Sequence, residues 1–275
     1  GEAPSPFKRT PLPRPGGLLP VGVYEADGNM EITYANRAAS EMSGYTLEEA
    51  RSRRFKTIDM LDMGSVQHAL SARSVITPSS NLMDLEIEGR RKDGTVFPIA
   101  ISACLIDPAN PAKGTRGVIM DISAHKRSER IMQMRLALME YSMGHSLEEV
   151  LVKTLDEAES LTGSRIGFYH FVDDDQEHLT LQAWSTRTVA EFCRAEGKGL
   201  HYPIAEAGVW ADCVREKRPV IHNDYASLPH RRGMPPGHAA VTRELLVPIM
   251  RGERIVAILG VGNKPSDYTL SLIHI

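Results

Sequence analysis

Asp121-Ile-Ser-Ala-His-Lys-Arg-Ser-Glu129 runs into Arg130-Ile-Met-Gln-Met-Arg-Leu-Ala-Leu-Met-Glu-Tyr141, then into Ser142-Met-Gly-His-Ser146 and a second helical run. No Pro or Gly interrupts residues 125 to 142, so the spacing predicts one continuous helix there. Ile131, Met134, Leu138 and Tyr141 recur 3, 4 and 3 apart and form one apolar stripe. Arg127, Arg130, Arg135 and Glu140 fall off it. Strand signals precede this helix, and a new strand-rich region follows. Two folded units joined by an amphipathic helix over 125–142 are expected. Such a helix can pass a movement from one unit to the other, which a flexible linker cannot. The alternative is a surface helix packed on its own domain.

The totals agree with two domains. The chain has 275 residues, 42% hydrophobic and 24% charged, ordinary values for folded domains. A net charge of −3 gives no case for nucleic acid or a membrane surface. No apolar run approaches the roughly 18 residues of a spanning helix. Cys104, Cys193 and Cys213 make neither a disulfide framework nor a zinc cluster, and a reducing, cytoplasmic location is the simplest reading. Residues 1–17 carry Pro4, Pro6, Pro11, Pro13 and Pro15, which suits a disordered tail. Residues 270–275, Leu-Ser-Leu-Ile-His-Ile, resemble a translated transposon end and are expected to be read-through.

The first unit is expected over 18–124. Gly22 to Ala26 and Met30 to Ala35 are extended, with Asp27-Gly28-Asn29 as a hairpin turn. Asn36 caps a short helix that Gly44 stops. Thr46-Leu-Glu-Glu49 is a capping box, and residues 55 to 73 read as short helices. Asp84 to Glu88 alternates as a half-buried strand. Phe97, Ile99, Ile101, Ala103 and Leu105 share one face of a long strand, where Pro98 argues for an edge position or a bulge. Gly117 to Ile122 is the last strand.

Four stretches in this order carry a resemblance: Val23 to Asn36, Ser43-Gly-Tyr-Thr-Leu-Glu-Glu49, Arg91-Lys-Asp-Gly-Thr95, and Asp121-Ile-Ser123 with Lys126, Arg127 and Glu129. The unit resembles a PAS domain of bacterial sensor proteins. The resemblance implies a five-stranded antiparallel sheet with helices on one face, and sensing of a small ligand, light or redox state, or dimerisation. The motif residues themselves read as caps and turn formers. The flavin–cysteine motif of LOV photosensors is absent, since no Cys precedes Arg53-Arg54-Phe55. The sequence names no cofactor. Haem enters only through His68, where haem-binding members place an axial histidine; a partly exposed helix histidine is the alternative.

The second unit is expected over 143–269. Ser146-Leu-Glu-Glu149 is a capping box that opens a helix to about Leu161, with Leu147, Val150, Leu151, Thr154, Leu155, Ala158 and Leu161 buried. Ile166 to Val172 and His178 to Trp184 form a hairpin around Asp173-Asp174-Asp175, whose spacing is not that of a calcium loop. A helical piece from Val189 to Ala195, a strand near His201, a helix from Ala207 to Lys217 and a strand at Val220 follow. Glu244 to Met250 and Ile255 to Gly262 close as a hairpin. His201, His222, His230 and His238 match no compact metal spacing. His145 resembles a phospho-acceptor but precedes a helix cap.

Leu161 to Phe171, Leu181 to Thr186, Ala195-Glu-Gly-Lys-Gly199, Arg218 to Tyr225 and Ile258 to Pro265 make this unit resemble a GAF domain of the kind that follows PAS domains in bacterial signalling proteins. The fold class is α+β, each domain an antiparallel sheet with flanking helices. The resemblance implies a sensory fragment that lacks its output domain, with a sensor histidine kinase as the parent and no enzyme activity of its own. A diguanylate cyclase or phosphodiesterase output is the alternative. Free-methionine sulfoxide reductases share the second fold and would need Cys193 or Cys213 as thiolates. Candidate pocket residues are Trp184, Trp210, His222 and Asp224. Ile131, Met134, Leu138 and Tyr141 are the candidate seam of a homodimer.

Overall fold

Residues 21–192, 201–229, 231 and 240–273 are described in a computed structural model of the chain. The expected tail over 1–17 lies outside them. The chain divides into two compact units, residues 1–129 and 130–275.

In the first unit, strands β1 (Gly22–Ala26), β2 (Ile32–Ala35), β3 (Leu82–Arg90), β4 (Val96–Leu105) and β5 (Thr115–Asp121) form an antiparallel sheet in the order β2-β1-β5-β4-β3. Helices α1 (Arg37–Ser43), α2 (Leu47–Ser52) and α3 (Met63–Arg73) fill the crossover between β2 and β3. The local signals act as expected. Asn36 Oδ1 accepts from Ala39 N and also from Val23 N, both at 2.9 Å, so one side chain caps α1 and fastens it to β1. Gly44 ends α1 at φ +78°, and Thr46 and Glu49 close the capping box. Pro98 corrects an expectation, for β4 is flanked by β5 and β3 and is not an edge. Its pairing with Glu88 is regular, and its carbonyl accepts from Ile122 N at 3.1 Å, just past the end of β5. The missing N–H would have faced the Ile122 carbonyl, which accepts instead from Lys126 N at 2.9 Å, so no acceptor is left unpaired there.

The second unit holds β6 (Ile166–Val172), β7 (His178–Trp184), β8 (His201–Pro203), β9 (Val220–His222), β10 (Glu244–Arg251) and β11 (Arg254–Gly262) in the order β8-β7-β6-β11-β10-β9. Strand alternation splits its core. Tyr169 and Ala183 pack with Leu151 and Leu155 of helix α5 (Leu147–Thr162) on one face. Val172, Leu179, Leu246 and Ile258 pack with Cys213 and Val214 of helix α6 (Asp212–Glu216) on the other. The buried face of α5 is Leu151, Leu155, Glu159 and Thr162, whereas Leu147 is 63% exposed. Glu159 tolerates burial because Ser185 and Thr188 hydroxyls donate to its carboxylate, and burial raises its pKa. A π-helical turn spans Thr188–Phe192; the remainder of the helical piece expected to Ala195 lies outside the described residues. Leu272 and Ile273 pack against the cluster of Leu245, Val261 and Tyr268.

Helix α4 spans Ser123–Ser142 without a break. Ile131, Met134, Leu138 and Tyr141 are half-buried. Arg130 Nη2 donates to Ser160 Oγ of α5 at 3.0 Å. Arg130 lies in the same sector of the helix as Tyr141, so the expected seam lies on the side of α4 that meets α5.

Candidate functional site

The first unit encloses a cavity of about 60 Å³ lined by Tyr24, Ile32, Met42, Leu47, Phe97 and Ile119, among others. A second cavity, also about 60 Å³, lies against Tyr24, Leu61, Ala69, Arg73 and Ile101. Tyr24, Thr57, Leu61 and Ile101 line both. Tyr24 can lie across the sheet because Gly117 stands opposite it on β5, where a Cβ would meet the phenol ring. Burial pushes the Tyr24 hydroxyl up to about 12, so it stays a neutral donor. Each cavity has room for a ligand of a few heavy atoms, since benzene takes about 150 Å³. Neither fits a haem. His68 is exposed on α3, outside both linings, while Ala69 of the next position faces inward. The axial-ligand expectation therefore finds no support in this geometry.

Arg91 ties this cavity to the helix that leaves the unit. It stands in the turn between β3 and β4. Its guanidinium lies over the Phe97 ring at 3.6 Å from the centroid and donates to the Met42 carbonyl, and both residues line the first cavity. Its other nitrogen donates to Asp121 Oδ2 at 2.6 Å. Asp121 Oδ1 accepts from Ser123 N at 2.9 Å, at the first residue of α4. Burial opposes ionisation of Asp121, but the Ser123 hydrogen bonds and the Arg91 charge outweigh it and hold the carboxyl below the usual range. The sequence marked Arg91 and Asp121 only as turn and motif residues. Their meeting across 30 positions has no local signal.

In the second unit, Trp184 pairs in register with Phe168, and Trp210 meets the same ring edge-on at 6.5 Å. Trp210 also stacks on His170 at 4.5 Å. His222 and Glu244 are cross-strand neighbours. His222 Nδ1 lies 2.8 Å from Glu244 Oε1, and Nε2 lies 3.4 Å from Asp212 Oδ2. Asp212 also takes Arg215 Nη1 at 2.7 Å. Burial disfavours the His222 cation, yet the Glu244 hydrogen bond and the Glu244 and Asp212 charges prevail and raise its pKa. Two buried acids, Asp212 and Glu244, thus flank one imidazole, and the Arg215 guanidinium closes the network from a partly exposed position. Three of the four expected pocket residues therefore share this face, and Asp224 is exposed. Asp212, Glu244 and His170 were missed, because each reads alone as an ordinary polar residue of a half-exposed element.

Burial pushes the Cys213 thiol up to about 12, with Glu244 and Asp212 adding to the effect. It is not a thiolate nucleophile, which removes it from the reductase alternative; Cys193 lies outside the described residues. Among the described residues, no group of three or more His, Cys, Asp or Glu is arranged to hold a metal ion, and no helix is long and apolar enough to cross a membrane. His145 stacks on Tyr141 at 3.6 Å and its Nδ1 sits 2.8 Å from the Tyr141 carbonyl, a helix-end contact.

The PAS domain family matches residues 18–75, and the GAF domain family matches residues 144–275. A curated relative, the methyl sulfide methyltransferase-associated sensor of Methanosarcina acetivorans, is 31% identical over 263 residues. The match takes in 90% of this chain and 25% of the relative, so the chain spans about a quarter of that protein. Among solved structures, the GAF domain of an Acinetobacter phosphoenolpyruvate-protein phosphotransferase is 17% identical with a TM-score of 0.43, covering 52% of this chain and 83% of that one. A PAS domain from Colwellia psychrerythraea is 23% identical with a TM-score of 0.34, covering 38% and 89%.

Proposed function

Because this chain carries a PAS domain followed by a GAF domain, we propose that it is the sensory part of a longer signalling protein of the cytoplasm, with a histidine kinase as its output. A small, mostly apolar ligand enters the PAS cavity and shifts Phe97 and Met42. Arg91 passes the shift to Asp121 and so to the start of α4. Two copies pair through the α4 region, and the paired helices carry the change onward. The observation that supports this reading is the contact set of Arg91, which touches the cavity wall and the helix cap with one guanidinium. The relative's name, a sensor, agrees in class, and the kinase output rests on the resemblance of the two domains in this order.

The test uses the full chain and a panel of small thioethers, alcohols and alkanes, followed by ligand-observed NMR. Ala50 lines the cavity and is buried, so Ala50→Val fills most of the space with two methyl groups. At least one compound class is expected to bind the parent and to lose binding in Ala50→Val, while the fold is kept. Binding that survives the filling places the ligand elsewhere and defeats the cavity reading.

A further inference from the structure

Helix α4 carries a second apolar stripe that the sequence pattern above passed over. Met132, Leu136 and Met139 lie on it, with Met143 just beyond its last residue. Their exposures are 66%, 60%, 68% and 82%, against half-buried side chains at Ile131, Met134, Leu138 and Tyr141. The spacings are 4, 3 and 4. On a helix advancing about 100° per residue, the two stripes are centred about 150° apart. One faces α5, where Arg130 reaches Ser160. The other faces away.

The charges beside the exposed stripe select its occupant. In the heptad that this spacing sets, Met132 and Met139 take the d positions and Leu136 and Met143 the a positions. Arg135 then falls at g and Glu140 at e. In a parallel pair of helices, a g residue meets the e residue five positions later on the other chain. Arg135 and Glu140 are five apart and of opposite sign. Two-fold symmetry makes the pair twice. Both side chains are exposed, and among the described residues neither forms an ion pair within its own chain.

We infer that two copies of this chain pair in parallel through Met132, Leu136, Met139 and Met143, with Arg135 of each copy bridging to Glu140 of the other. The inference rests on the pairing proposed above and moves it to the opposite face of the helix. The seam covers roughly 500 Å² per chain, below the about 800 Å² of a standard interface. It belongs with the small, transient class of contacts. Methionine at three of the four positions gives a seam that can repack, which suits a helix whose partner contact changes with signal.

Sedimentation equilibrium of the full chain from low to high micromolar concentration reads the seam. The parent is expected to show a reversible dimer. Leu136→Glu should weaken it at least about a hundredfold, because two carboxylates then face each other in an apolar contact. Arg135→Glu should weaken it about tenfold, and Arg135→Glu combined with Glu140→Arg should restore it to within about threefold. These two positions are exposed, so the charge swap remains readable even if another variant unfolds. Met132→Cys should cross-link to itself under oxidation above the parent's background, because an antiparallel seam would hold those positions about 16 Å apart along the axis. A monomeric parent at the highest concentration overturns the pairing and the seam together. A dimer that ignores Leu136→Glu and the charge swap but is lost in Leu138→Glu overturns this face and leaves the pairing. A dimer without the Met132→Cys cross-link overturns the parallel register.

Discussion

Replacing Asp121 by alanine removes two supports at the junction of β5 and α4. The first is the cap on Ser123 N, which contributes about 1 kcal/mol. The second is the ion pair with Arg91, whose side chains are 27% and 31% exposed, and which contributes roughly another 1 kcal/mol once solvent screening is allowed for. Arg91 keeps the Met42 carbonyl and the Phe97 ring, so no wholly unpaired cation is left. The sum is about 2 kcal/mol. For a domain of this size the urea slope is about 1.3 kcal/mol per molar, so the midpoint should fall by about 1.5 M. The two domains can be read separately, because both tryptophans of the chain, Trp184 and Trp210, lie in the second. Far-UV circular dichroism follows both transitions, and tryptophan fluorescence follows the second alone. Asp121→Ala should move the first transition and leave fluorescence in place. The folded carboxyl titrates below its unfolded value, so its contribution is present above about pH 4 and disappears as pH falls through the folded value. Parent and variant should therefore converge as pH falls below the folded value. Arg37→Ala, which breaks a pair exposed by 81% and 59%, is the control and should shift the midpoint by less than about 0.4 M. A shift no larger than that control, or one shared equally by fluorescence, would refute the junction's role.

Two further outcomes concern the second domain. Gly260→Ala places a Cβ against the Phe168 ring, between Trp210 and the sheet, and should lower that domain's stability by about 3 kcal/mol by forcing the ring from its site; tryptophan-detected urea melts check it. His222 has a raised folded pKa, so its stabilising contribution is complete below about pH 6.5 and fades as pH rises through the folded value. The stability gap between parent and His222→Gln should shrink between pH 6 and pH 9, and a gap that is flat or widening across that range counts against a protonated His222 in the native network.

Much of the frame was legible because it is local. Asn36, Thr46 and Ser146 announce helix starts, Gly44 and Gly163 announce their ends, and the structure uses each as a cap. Period-two alternation placed Phe97, Ile99 and Ala103 in the core. What stayed hidden depends on partners distant in sequence. Glu159 and Glu244 read as surface acids until Ser185 and His222 arrive beside them. Arg91 reads as a turn residue until Asp121 closes on it. On α4 the stripe Ile131, Met134, Leu138 and Tyr141 was visible, but a helix with two apolar faces does not say which one its own domain covers. Asp224 was grouped with His222 by proximity in the chain, and the turn at Tyr225–Ser227 carries it out to solvent.

The central claim is that the PAS cavity and helix α4 move as one unit through Arg91. Hydrogen exchange at the two bonded amides that open α4, Ser123 and Lys126, tests it most directly. Phe97→Leu alters the cavity wall beneath the guanidinium without touching α4. In the parent background it should speed exchange at these amides about threefold, since roughly 0.7 kcal/mol of the cap's support is lost when Arg91 loses its platform. In an Arg91→Ala background the same substitution should change them by less than about twofold. Faster exchange confined to β4 and its neighbours in Phe97→Leu, with Ser123 and Lys126 unchanged, would contradict the account.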